Sequence, residues 1–418
     1  MNENHSRHEL IYRKHWLTPN LQAAITEHAV VVLTGARQVG KSTLIHHAEP
    51  MKSWRYHTLD DFDVLRQVER DPSALWAGTD AVVIDEVQKA PHLLPAIKQA
   101  VDRRKRAVRF VLSGSANLLL MKQVSESLAG RAVYFTLLPM TVGESEGTPA
   151  LTLLADLLAG RWPAEGTIQL KIADPLPLLL RGFMPPLLEL SQPSAWTRWW
   201  QGYIATYLER DLRQISQVVA LTDFRRVMEL AALRTGQLLN QTELARDARL
   251  AQPTVHRYLN LIEATHLAQR VPAFMASHTT RLIKSPKLHW ADPALAIFLS
   301  GYYDVESLAH ARELGAYFET LIYQHVQALA QLLTPQPRIF YWRTQRGEEV
   351  DFVVEQGRRM LAIEVKMTSQ ARYTDADGLT AFLREHPKAI GGVLVYMGSE
   401  IRRLSDNIVA VPWECWAH

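Results

Sequence analysis

Residues 29–34 (Ala-Val-Val-Val-Leu-Thr) form a short β-branched run, and Gly35-Ala36-Arg37-Gln38-Val39-Gly40-Lys41-Ser42 follows it without a break. No other feature limits the fold as much. A buried strand must end in a tight glycine-rich loop that opens a helix, the pattern GxxxxGK[ST]. The glycines let successive backbone N–H groups face one anion, and the helix N-terminus adds the positive end of a dipole. Lys41 supplies a point charge for β- and γ-phosphates, and the Ser42 hydroxyl can ligate Mg²⁺. Thr43 completes the nucleotide-binding set of residues 35–43. Similar apolar runs recur at residues 81–84, 109–112 and 132–137, with helix-compatible segments between them. That alternation predicts a mostly parallel sheet with helices on both faces, an α/β architecture.

The run Ala81-Val82-Val83-Ile84 ends in Asp85-Glu86. Carboxylates at the C-terminal end of a central strand sit where ligands of open α/β sheets bind. Asp85 is expected to hold Mg²⁺ through its waters, and Glu86 to polarise the attacking water as general base. The strand at 109–112 ends in Ser113, a candidate sensor of the γ-phosphate or the lytic water. Arg131, in a loop before the next strand, is a candidate for the γ-phosphate in cis or across a subunit interface, or for a surface salt bridge.

These four elements, in this order, resemble the AAA+ type of P-loop ATPase over roughly residues 15–145. The strings IDEVQKAP, LSGS and SLAGR resemble one prokaryotic subgroup in particular, predicted ATPases with a C-terminal domain of unknown function. That similarity runs the length of the chain. It implies ATP and Mg²⁺ as cofactors, and it is compatible with a homo-oligomer in which Arg131 completes a neighbour's site.

Composition sets the outer limits. Of 418 residues, 47% are hydrophobic and 21% charged, which excludes wholesale disorder. No apolar run approaches the roughly 18 residues that span a bilayer, so no membrane partner is expected. The N-terminus lacks a basic start followed by an apolar core, and Cys415 has no second cysteine to pair with. A cytoplasmic location is the expectation. The net charge is only +3, yet residues 221–290 hold ten basic against five acidic side chains. The excess is concentrated in one segment.

Within that segment, Asn240-Gln241-Thr242-Glu243 carries an Asn-x-x-Glu helix-start pattern. Arg249-Leu250-Ala251 reads as a turn. Gln252 is expected to cap a second helix with Pro253 at its first position. Val255, Tyr258, Leu259 and Ile262 then form an apolar stripe, leaving Gln252, Thr254, His256, Arg257 and Asn260 outward. This is helix-turn-helix spacing. Residues 267–274 and 281–289 read as two strands of a wing carrying Arg281, Lys284 and Lys287. The string ARDARLAQPTVHRYLNLIE resembles winged helix-turn-helix domains. That implies DNA as a partner, contacted through Arg257, Arg281, Lys284 and Lys287. A module that only packs domains or contacts protein is the alternative.

Toward the C-terminus, Asp351 lies in the run 349–354, and Glu364 and Lys366 lie two apart in the run 360–365 and its end, with EQGRR between. A hairpin would bring all three together on one face. Two carboxylates can bind Mg²⁺ while the lysine orients a water. Glu319, on a helix at 313–331, is a further candidate ligand. The arrangement resembles the PD-(D/E)xK nuclease fold over roughly residues 312–400, although Glu349-Val350 stand where that family has its proline. The resemblance implies metal-dependent cleavage by Asp351, Glu364 and Lys366, or a silent domain that only binds. A helix at 374–385 and a strand at 392–396 are expected to close the chain.

The expected domains are an ATPase sheet (1–148), a helical connector (149–220), a winged helix-turn-helix (221–300) and a nuclease-like α/β domain (301–418). In the connector, Trp196, Trp199, Trp200 and Tyr203 recur at helical spacing and are expected to pack between helices. The expected function is Mg²⁺-dependent ATP hydrolysis coupled to DNA binding or processing. The rival is a nucleotide-dependent protein-interaction switch.

Overall fold

The structure, a computed structural model, describes residues 12–103, 108–114, 128–168, 174–206, 220–275 and 285–417. A five-stranded parallel sheet carries the first module, with strands β1 (Val30–Gly35), β2 (Arg55–Thr58), β3 (Ala81–Asp85), β4 (Arg109–Ser113) and β5 (Ala132–Leu137) in the order β2-β3-β4-β1-β5. Side-chain alternation sorts β1 between two cores. Val30 and Val32 pack with Val82, Ile84, Phe110 and Leu112 against the helix Leu93–Arg103. Val31 and Leu33 face the other way, into a core shared with the rest of the chain. The order places the C-terminal ends of β3, β4 and β1 side by side, so Asp85, Ser113 and the glycine loop meet at one edge. Strand β2 was not anticipated from the sequence. Its Arg-Tyr-His-Thr is half exposed at the sheet edge and has no apolar run to betray it.

A seven-stranded mixed sheet forms the C-terminal module, in the order β6-β13-β14-β12-β11-β10-β9. The expected hairpin is there: β10 (Glu349–Gln356) and β11 (Arg359–Lys366) pair antiparallel. Strand β9 (Arg338–Arg343) extends it, and β12 (Gly391–Tyr396) runs parallel to β11. Regular structure continues past residue 396, contrary to expectation, with β13 (Glu400–Ser405) and β14 (Ile408–Pro412). Strand β6 (Gly166–Thr167) joins the edge of this sheet from the connector, through β13. In the connector helix Pro193–Thr206, Trp196, Trp200 and Tyr203 are buried, as packing residues should be.

Between the sheets lie the helices Leu221–Ala232, Gln241–Ala248 and Gln252–Ala264, then an antiparallel pair, β7 (Ala268–Val271) and β8 (Lys287–Trp290). The Asn240 side chain caps its helix by accepting from the amides of Thr242 and Glu243. The second helix starts one residue early, with Ala251 at the cap. Val255, Tyr258, Leu259 and Ile262 are buried, and Gln252, His256 and Arg257 are exposed.

One expectation fails here. Lys287 is not on an exposed wing but 2% exposed. All four residues of β8 are buried, because the strand is built into the interface with the C-terminal module. Lys287 is therefore removed as a DNA contact; Arg281 and Lys284 lie outside the described residues. No helix among the described residues is long and apolar enough to cross a membrane.

Candidate functional sites

At the first site the loop between β1 and the helix Lys41–His47 has the backbone its glycines promised. Gly35 and Gly40 have φ of 147° and 97°, and Gln38 also lies at positive φ. A Cβ on Gly35 would sit 2.3 Å from the Leu137 carbonyl oxygen, so only glycine fits. Lys41 Nζ donates to the carbonyls of Gly35 and Ala36, at 3.0 and 2.9 Å. The Ser42 hydroxyl donates to Asp85 Oδ2 at 2.7 Å.

Asp85 is the hub of this site. Its Oδ2 also accepts from the Tyr56 hydroxyl at 2.7 Å, and its Oδ1 accepts from the Ser113 hydroxyl and, at 3.0 Å, from the Glu86 amide. Burial alone would raise this carboxyl. The donors from Ser113, Ser42 and Tyr56 outweigh it and hold Asp85 below the ordinary carboxylate value. Glu86, at φ 56°, is shifted the other way by burial first and by the charge of Asp85 second. Two adjacent carboxyls are thus separated in role by environment, one kept ionised and one made more basic.

A cavity of about 370 Å³ opens over the loop, lined by Arg37, Gln38, Gly40, Lys41, Ser42, Thr43 and Glu86. Its remaining walls, Tyr12, Arg13, His15, Met140, Pro185, Pro186 and Glu189, are absent from the sequence expectations, as is Tyr56. None of these has a local signal, since they reach the loop only through tertiary packing. Just past the loop, His47 stacks on Tyr12, and His46 packs against Tyr56.

Mg²⁺ with a nucleotide fits this donor set. Hard oxygens of Ser42 and an ionised Asp85 adjoin a loop that only glycine can curl. Of two expected contacts, Ser113 is placed differently and Arg131 takes the second of its two expected roles. Ser113 is fully buried behind Asp85 and does not line the cavity, so it orients Asp85. Arg131 also stays off the cavity and forms a two-pronged surface pair with Asp102, at 2.7 and 3.0 Å.

The walls link this site to the rest of the chain. The amide of Phe183 donates to Asp292 Oδ2 at 2.8 Å, and the Phe183 carbonyl accepts from the amide of Met140. Gln324, on the helix Leu314–Gln331, donates to the Met140 carbonyl at 2.8 Å. Asp292 lies two residues after β8 and caps the helix Pro293–Leu299.

The second candidate site is also assembled, but with an uninvited member. The side chains of Glu319, Glu349 and Asp351 converge, and Lys287 Nζ sits among them, 3.1, 2.6 and 3.3 Å from their oxygens. Asp351 Oδ2 accepts from the Val365 amide, and Lys366 Nζ pairs with Glu364 Oε1 at 2.6 Å. Burial would lower the Lys287 ammonium. The carboxyls of Glu319, Asp351 and Glu349 outweigh it and hold Lys287 well above its ordinary value. Burial, with the charge of Asp351 adding to it, pushes Glu319 and Glu364 up to about 8. A metal does not fit among Glu319, Glu349 and Asp351, because the ammonium fills the point on which they converge. Among the described residues, no group of three or more carboxylate, imidazole or thiol side chains is placed to hold one. Glu319 and Asp351 are brought together, yet around the Lys287 ammonium, and Glu364 pairs with Lys366 instead.

Comparison with known proteins agrees with the first site. Residues 27–146 match the AAA domain family, residues 176–306 match a domain of unknown function (DUF8612), and residues 314–416 match another (DUF4143). Uncharacterized proteins of Mycobacterium bovis and Mycobacterium tuberculosis are each 32% identical over 394 residues, covering 94% of this chain and 82% of theirs. Among solved structures, a signal transduction ATPase with a tetratricopeptide repeat sensor from Pyrococcus horikoshii aligns at TM-score 0.24 and 13% identity, over 77% of this chain and 46% of its own. A protein from Vibrio cholerae aligns at TM-score 0.19 and 12% identity, over 93% and 95%. Scores this low support no functional comparison.

Proposed function

The chain belongs to a family of P-loop ATPases in which an AAA domain precedes a C-terminal domain of unknown function, and from that premise we propose that it hydrolyses ATP with Mg²⁺ and couples the cycle to DNA binding. The observation that carries this reading is the convergence of Ser42, Tyr56 and Ser113 on Asp85 beside a glycine loop and an open cavity.

The roles follow from the geometry. Backbone N–H groups of residues 35–43 bind the phosphates, and Lys41 exchanges its loop carbonyls for phosphate oxygens. Ser42 and Asp85 would hold Mg²⁺, which when bound neutralises charge on the β- and γ-phosphates. Glu86, more basic than an ordinary glutamate, takes the proton of the attacking water. Tyr56 and Ser113 are positioning residues that act through Asp85.

Coupling has a physical route. Phe183, just before the cavity wall at Pro185, Pro186 and Glu189, donates its amide to Asp292, which lies two residues after β8 of the hairpin. A shift of that wall on nucleotide binding would move the helix pair Gln241–Ala248 and Gln252–Ala264. We read that pair and its hairpin as a winged helix-turn-helix, with the exposed Gln252, His256 and Arg257 facing DNA.

The test is ATP turnover with and without duplex, single-stranded and branched DNA. Lys41→Ala should abolish turnover with the fold intact, and DNA should change the wild-type rate. Unchanged turnover in Lys41→Ala would remove the phosphate-loop assignment. A rate indifferent to every DNA form, with DNA affinity indifferent to nucleotide, would remove the coupling.

A further inference from the structure

The cluster around Lys287 is explained neither by ATP chemistry nor by nuclease chemistry. An ammonium has three N–H donors, and Glu319, Glu349 and Asp351 offer it three acceptors. Its side chain is 3% exposed, so water does not share the work. A divalent metal binds carboxylate oxygens at about 2.0–2.6 Å. The oxygens of Glu319 and Asp351 that it would need already face a full positive charge about 3 Å away. Two cations cannot share that space.

Lys287 is also held firmly in place. Strand β8 pairs with β7, and the Gly236 amide donates to the Leu288 carbonyl at 2.7 Å. His289, two residues along on the same face, lies 3.2 Å from the Thr320 hydroxyl and stacks on Tyr323. The face of β8 that carries Lys287 is therefore part of the C-terminal module's own core.

We propose that the Lys287 ammonium takes the place of a metal ion in the C-terminal cluster, making it a metal-free ionic clasp that fastens the β7–β8 hairpin to the β10–β11 sheet. The domain then cleaves no nucleic acid: Asp351 serves attachment, while Glu364 and Lys366 pair with each other. This holds whether or not the ATP reading does, because it concerns a separate site.

The test is Mn²⁺ binding to the full-length, nucleotide-free protein, followed by electron paramagnetic resonance. Wild type and Asp351→Asn should bind Mn²⁺ alike, and plasmid DNA with Mg²⁺ or Mn²⁺ should show no Asp351-dependent nicking. Lys287→Met, which keeps the length and removes the charge, frees the carboxyls of Glu319, Glu349 and Asp351 to close on a metal, and should gain one Mn²⁺ site at least tenfold tighter than any in wild type. Asp351→Asn in that background should remove it. A stoichiometric wild-type Mn²⁺ site lost in Asp351→Asn, Asp351-dependent nicking, or a folded Lys287→Met that gains no site would each overturn the proposal. If Lys287→Met does not fold, the comparison of wild type with Asp351→Asn decides alone.

Discussion

The chain contains two clusters of the same ingredients, a lysine or two among aspartates and glutamates at the ends or edges of strands. In the first, Lys41 and Ser42 open the helix that follows the glycine loop, Asp85 is saturated with hydroxyl donors, and Glu86 faces a cavity of about 370 Å³. In the second, an ammonium from β8 fills the point on which three carboxyls converge. The first leaves its charge facing an open space that a ligand can enter; the second has its charge answered from within. Matching residue types therefore does not make matching sites. What separates them is where the counter-charge comes from, and whether it leaves room.

The contrast is broken most directly at Glu86. Glu86→Gln should lower turnover by about 10²–10⁴-fold while ATP still binds, as measured by steady-state rates beside nucleotide affinity. A near-normal rate would place water activation elsewhere. The same residue sets a pH dependence. Burial and Asp85 raise its pKa, so it holds its proton to higher pH than an ordinary glutamate. As the proposed base, Glu86 is lost as pH falls through that raised value, so the acid limb of kcat/KM should lie higher than an ordinary glutamate would give.

The second cluster is tested by Lys287→Ala. Removing a buried partner leaves its carboxyls uncompensated, at a cost of about 3–5 kcal/mol. Chemical denaturation would read this as a lower midpoint. A loss below about 1 kcal/mol would show that the clasp contributes little, as exposed pairs do. The smallest effect is expected at Tyr56→Phe, which deletes one of several donors to Asp85. At about 1 kcal/mol per hydrogen bond, Mg²⁺-ATP affinity or turnover should fall roughly fivefold. No change would demote Tyr56 to packing.

The glycine loop, the β3 carboxylates and the β10–β11 hairpin were all legible in the sequence, because each is a local run whose period and punctuation state its conformation. Strand β2 was not, since four half-exposed residues carry no apolar signature, and Tyr56 went unseen with it. Arg131 read equally as a phosphate contact or a surface pair, and Asp102 is what it meets. Lys287 misled for a physical reason. A lysine in a basic segment is exposed unless carboxyls distant in sequence bury it, and those carboxyls lie 32 to 64 residues away.

By itself, then, the sequence determined an α/β chain with a phosphate-binding loop, a pair of adjacent carboxylates at a strand end, and a D…ExK hairpin. Each depends on residues within one element or on two neighbouring ones, where spacing alone sets geometry. Only the tertiary structure decided which charges face a cavity and which face each other. Electrostatic partnership depends on distance through space and on burial, and chain spacing states neither.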